Sequence, residues 1–181
     1  MRQDHVLETA LATFARFGYR KASMDDVARA ADISRPGLYF LFSSKQNLFR
    51  AAVTRALDND LAAAARVLDD RARPLRDRLA EAYDHWTGRY IGPMAREVAV
   101  LIETNPDLLE PMATDYPRRF IEMVTTAIEA EYATGARDVA DTLRSTVAGI
   151  KHDAVTREEF VARTAIAVDL LVTALEAKNT T

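Results

Sequence analysis

The chain has 181 residues, 49% of them hydrophobic, and no cysteine, so it can bury a real core while disulfides, zinc–thiolate sites and thiol catalysis are excluded. Its formal net charge of -3 is unevenly spread: eight Lys or Arg against five Asp or Glu leave residues 1–50 at +3 and the remainder at -6, an asymmetry that points to a polyanion partner for the first part. No apolar run approaches the roughly 18 residues that span a bilayer, and the opening MRQDHVLETALATF lacks a signal peptide's apolar block, so a cytoplasmic protein with no membrane association is expected.

Only six glycines and six prolines interrupt the chain, and apolar residues recur at three and four, which predicts an all-α fold. A first helix over 3–17 turns Val6, Leu7, Ala10, Leu11, Phe14 and Phe17 inward and stops at Gly18. Ser23 caps a short second helix, and Asp26, three residues on, completes a capping box. The turn at Asp32 asks for a left-handed backbone, which Asp tolerates. Ser34 then caps a third helix, with Pro36 in the first turn and Ile33 and Leu38 placed as a hydrophobic staple. Ser43 with Gln46 forms another capping box, from which a long helix runs through Leu48, Val53, Leu57, Leu61 and Leu68. Further helices are expected over 75–90, 94–104, 107–113, 117–133, 138–152 and 157–177, with breaks at Gly92-Pro93, Asn105-Pro106 and Thr134-Gly135.

Two short helices joined by about three residues make a helix-turn-helix, a spacing that many helical hairpins share. With Leu38, Phe42 and Ile33 facing the core, Arg35, Gly37, Tyr39 and Phe40 fall on other faces. Tyr39 and Phe40 can pack against the first helix or meet DNA, where a Tyr hydroxyl bonds phosphate and a ring contacts thymine methyls. Arg35 and Lys45 put cations in helix first turns, where an anion is preferred by roughly 0.3–1 kcal/mol; a docked phosphate reverses that sign, whereas solvation of two long side chains is the plainer explanation. Elsewhere the ordinary rule holds, with Asp25, Asp26, Glu158 and Glu159 opening helices.

The segment ASMDDVARAADISRPGLYFLFSSKQNLF, residues 22–49, preceded by a helix ending FARFGYRKAS, resembles the N-terminal motif of the TetR family of bacterial transcriptional regulators. The resemblance covers about the first 50 residues and implies that Ser23, Tyr39 and Lys45 hold phosphates while Arg35, Pro36, Gly37 and Phe40 face the major groove. Ser34 joins these as the cap of the reading helix. Asp32 stands where the family usually has glycine, and Leu41 where many members have histidine.

A helix-turn-helix needs a two-fold partner to cover enough base pairs. The last helix carries Phe160, Val161, Ile166, Val168, Leu170, Leu171, Val172 and Leu175 around most of its circumference, so it needs cover on more than one side. Either it is central within a monomer or, as the resemblance implies, the last two helices of each copy build a homodimer bundle. Tyr83, Trp86 and Tyr90, at i, i+3 and i+7, form an aromatic stripe; with Met94, Leu101, Met112, Tyr116 and Phe120 it is either an ordinary core or the wall of a pocket for a small, mostly apolar ligand. The expected organisation is a DNA-binding domain over 1–47 and a ligand-binding and dimerisation domain over 48–181. The expected function is a dimeric repressor released from a palindromic double-stranded DNA operator by that ligand, with no cofactor and no metal; the alternative is a ligand-independent architectural factor or activator with the same head. His5, His85 and His152 are scattered and no phosphate loop appears, so an enzyme is not expected.

Overall fold

The computed structural model describes residues 2–92 and 106–179. Within them lie eight α-helices, one 3-10 turn and no strand: α1 (Arg2–Phe17), α2 (Met24–Ala30), α3 (Arg35–Leu41), α4 (Lys45–Asp69), α5 (Leu75–Trp86), the 3-10 turn Gly88–Tyr90, α6 (Pro106–Glu129), α7 (Ala136–Asp153) and α8 (Arg157–Asn179). No helix among the described residues is long and apolar enough to cross a membrane. The described residues of Met1–Asn59 and Pro93–Ala113 form one compact unit, and those of Asp60–Gly92 and Thr114–Thr181 a second.

In the first unit, α1 buries Val6, Leu7, Ala10 and Phe14 against Val27 and Ala28 of α2, Leu38 of α3 and Leu48, Phe49 and Ala52 of α4. Phe14, Tyr19 and Phe49 meet as an aromatic cluster with ring centroids 4.9 to 5.7 Å apart, Phe49 edge-to-face with both of the others and Phe14 tilted against Tyr19. Gly18 has φ 75° and its N–H donates to Phe14 O, so the first helix ends as expected. Phe17, expected inside, is exposed, with the Arg16 guanidinium over its ring. The cap of α4 also differs from expectation. Ser44 holds it, accepting from Asn47 N at 3.1 Å, while Ser43 Oγ accepts from the Asn47 side chain at 2.8 Å. Two adjacent serines offered the same chemistry, and Asn47 takes both.

In the second unit α5 packs on α8, and α8 on α7. Arg78 is buried at the end of α4: it donates to Leu68 O at 2.6 Å and Arg73 O at 3.1 Å and pairs with Glu131. The Leu68 carbonyl, which the helix end leaves unsatisfied, thereby gains a charged donor, as does the Arg73 carbonyl in the connection to α5. Thr156 caps α8 by accepting from Glu159 N at 3.2 Å, and Glu159 accepts from Val155 N.

Two boundaries depart from expectation. Helix α5 stops at Trp86 instead of running to residue 90, because Arg89 and Tyr90 turn to Asp60, a carboxylate with 0% exposure. The helices expected over 107–113 and 117–133 are one, α6, which runs through Pro117 and ends at Glu129. A mid-helix proline costs about 3 kcal/mol, but Tyr116, Phe120, Ile121, Val124 and Ile128 are buried along the helix, each contributing about 1.5–3 kcal/mol when fully buried. The helix expected over 94–104 lies outside the described residues.

Candidate nucleic-acid interface and aromatic cleft

The α2–turn–α3 segment is fixed by its own caps. Ser23 Oγ accepts from Asp26 N at 3.1 Å and donates to Asp26 Oδ2 at 2.6 Å, while Ser23 N donates to the same oxygen at 3.0 Å. Those bonds to Ser23 hold the Asp26 carboxyl below its usual pKa range. Asp32 adopts φ 51°, the left-handed conformation expected at the turn, and Ile33 N donates to Ala28 O at 3.0 Å. Ser34 Oγ accepts from Gly37 N at 3.1 Å, and a Cβ at position 37 would come within 3.0 Å of that oxygen, so glycine leaves the cap undisturbed.

With Leu38 sealed in the core, the opposite side of α3 is bare. Arg35 and Pro36 are exposed, as are Tyr39 at 41%, Leu41 at 38% and Phe40 at 90%. Phe40 therefore does not pack against α1. Arg35 Nε lies 3.0 Å from Asp25 Oδ1, and its guanidinium 5.7 Å from the Tyr39 ring centroid. An ion pair this exposed contributes only about 0–1 kcal/mol, so an incoming anion can displace it.

Lys45 is placed differently. It opens α4, but its ammonium donates to Tyr19 O at 2.8 Å, Ala22 O at 2.9 Å and Arg20 O at 3.4 Å and sits 4.6 Å from the Tyr19 ring centroid. An ammonium has three protons, and all three are directed to the α1–α2 connection. No local pattern signals this tie, which joins residues more than 20 positions apart.

The aromatic stripe is only partly assembled. In the second unit Tyr83 and Trp86 both meet Phe120, at 5.0 Å edge-to-face and 5.1 Å stacked. They line a cleft of about 180 Å³ with Val147, Arg144 and Lys151 of α7. Tyr116 is buried, with the Arg119 guanidinium 5.1 Å from its ring centroid, and does not line that cleft. Tyr90 leaves the stripe and donates its hydroxyl to Asp60. Met112 belongs to the first unit, where its sulfur accepts from Thr54 Oγ1 at 3.2 Å. Met94 and Leu101 lie outside the described residues. Asp84 forms no acid–base pair with its neighbour His85; both of its oxygens accept from Arg157, each at 2.8 Å.

Two further features escaped sequence reasoning. Asp60 left a signal, a charge on the apolar stripe of Leu57, Leu61, Ala64 and Leu68. Arg144 and Lys151 left none, since they flank Val147 like any solvated side chains.

Residues 6–52 match the family model described as bacterial regulatory proteins, tetR family. The HTH-type transcriptional regulator YfiR of Bacillus subtilis is 38% identical over 60 residues, 33% of this chain and 29% of that one. The HTH-type transcriptional activator FasR of Mycolicibacterium smegmatis is 35% identical over 86 residues, 46% of this chain and 39% of its own. The matched stretch thus spans well under half the length of these relatives. A crystal structure of a regulator from Saccharomonospora viridis in complex with choline shares the fold, with a TM-score of 0.71 at 16% identity over 92% of this chain and 95% of that one. Residues 6–52 thus form a head of the kind found in the bacterial regulatory proteins of the tetR family, and the all-α fold around it is shared with the S. viridis regulator.

Proposed function

We propose that the chain is a sequence-specific transcriptional regulator that binds a palindromic double-stranded DNA operator as a homodimer and is released from it by a small ligand. The observation that carries the DNA reading is α3: a helix pinned by Leu38 and the Ser34 cap, whose outer side exposes Arg35, Tyr39 and a Phe40 ring left 90% in solvent. With Tyr39 and Leu41 beside it the Phe40 ring forms a contiguous exposed apolar patch, and such patches mark interaction surfaces. Arg35, Pro36, Gly37 and Phe40 are assigned to the major groove, and Ser23 and Tyr39 to phosphates. Lys45 acts through its fixed position, holding the α1–α2 connection beside the start of α4, where a helix N-terminus favours a phosphate.

The DNA-reading role is assigned to residues 1–47 and the ligand and dimer roles to 48–181. Dimerisation is supported by α8, which buries Phe160, Val168 and Val172 on one side while Ile166 at 61% and Leu170 at 65% stand in solvent on another. A ligand role is supported by the cleft at Tyr83, Trp86 and Phe120, and by the choline found with the S. viridis regulator. The cytoplasm, where DNA is met, is the place of action.

A second reading, a ligand-independent activator or architectural factor, draws on the activator name of FasR and on a cleft smaller than the roughly 300–1,000 Å³ usual for ligand pockets. Selection of bound fragments from genomic DNA, followed by titration of Arg35→Ala, tests the main reading. The expected loss is about 1–3 kcal/mol on the selected site and little on scrambled DNA. Equal losses on both would remove Arg35 from sequence reading.

A further inference from the structure

Tyr83 is 2% exposed, and its hydroxyl oxygen is buried without a hydrogen-bond partner among the described residues. Buried polar atoms are nearly always satisfied, so an orphan at the wall of a cleft marks a place where something else supplies the partner. Burial pushes the phenol's pKa well above its ordinary value, which keeps the proton on the oxygen and makes it a donor.

The charged groups of the cleft share one sign. Arg144 and Lys151, both on α7, line it on either side of Val147, and no Asp or Glu is among the described lining residues. Arg144 is only loosely engaged: Asp141 lies 3.6 Å away and is held more closely by Arg137, at 3.1 Å. Lys151 makes no ion pair among the described residues. Apolar walls come from Trp86, Phe120 and Val147. The volume, about 180 Å³, is close to that of apolar cavities of about 150 Å³ that take up benzene.

We propose that this cleft binds a single-ring aromatic carboxylate, whose ring lies against Trp86 and Phe120 and whose carboxylate accepts from the Tyr83 hydroxyl and pairs with Arg144 and Lys151. This rests on the reading that the second unit holds an effector site, and it names the effector's class. A quaternary ammonium such as choline would meet two like charges here, and a neutral ring would leave both cations unused.

The test uses the full chain and sodium benzoate at constant ionic strength, read by the fluorescence of Trp86, the sole tryptophan. Benzamide and benzyltrimethylammonium serve as neutral and cationic counterparts. Benzoate is expected to give a saturable change and to bind at least about tenfold more tightly than either counterpart. Tyr83→Phe and Arg144→Gln are each expected to weaken benzoate at least about fivefold, and Tyr83→Phe to do so without lowering the melting temperature, since it removes an unsatisfied hydroxyl. Benzamide binding as tightly as benzoate, unchanged affinity in both variants, or no response to benzoate would overturn the proposal. A parallel operator titration separates the two claims. Benzoate that binds in the cleft yet leaves the DNA complex intact refutes release by this ligand and keeps the assignment of the site. Release of DNA by another small molecule, with benzoate inert, refutes the ligand class and keeps the regulator.

Discussion

At residue 45 the head ties a cation to its own backbone. Lys45→Ala removes the donor from three carbonyls of the α1–α2 connection and is expected to cost about 1–3 kcal/mol of stability in chemical denaturation. Lys45→Arg should not restore it, because a planar fork does not reproduce three converging bonds. A Lys45→Ala protein as stable as the parent would return Lys45 to the role of a free phosphate contact. Asp60 poses the opposite electrostatic case. Burial raises its carboxyl above the ordinary value, against the pull of Tyr90 and Arg89. A carboxyl whose folded pKa is raised binds its proton more readily in the folded state than in the unfolded one. Its contribution is therefore most favourable at low pH and is lost as pH rises through the raised value. Denaturation of the parent and Asp60→Asn across that window is expected to show a difference that shifts against the parent as pH rises; a shift in its favour would mean that Arg89 and Tyr90 outweigh burial.

At the scale of the element, α8 carries the clearest consequence. Its exposed side is single-chain solvent surface, so Ile166→Asp with Leu170→Asp is expected to leave the fold intact and weaken dimerisation at least about tenfold in analytical ultracentrifugation. An unchanged dimer would place the interface elsewhere. The end of α5 gives another test. A Cβ at Gly88 would clash with Asp84 Oδ1, held by Arg157, and come 3.3 Å from the Phe160 ring, so Gly88→Ala should cost about 1–3 kcal/mol. The sequence carried the helix-turn-helix itself: the Ser23 box, the left-handed Asp32, the Ser34 cap and the buried Leu38 are local chemistry, legible within four or five residues. What it did not carry was long-range. Tyr90 fitted the stripe of Tyr83 and Trp86 by periodicity, but a buried Asp60 on another helix draws it away. Two helices were expected around Pro117 because a proline's local cost is visible, whereas the burial that outweighs it is visible only once the partners are in place.

At the scale of the whole molecule, the charge division of the chain becomes a statement about partners. The part with excess Lys and Arg holds the exposed α3 side, and the acidic remainder holds the bare side of α8. A dimer that reads DNA should combine a phosphate term, which falls with salt, and a base-reading term, which depends on sequence. The most direct measurement is a titration of the full chain, by fluorescence anisotropy over a salt series, against a fragment selected from genomic DNA and its scrambled counterpart. The expected result is binding of two chains, or a multiple of two, with affinity for the selected fragment at least about 1,000-fold above the scrambled one and log K falling linearly with log salt. Equal affinity for both fragments, or saturation by a single chain, would contradict a dimeric, sequence-reading regulator.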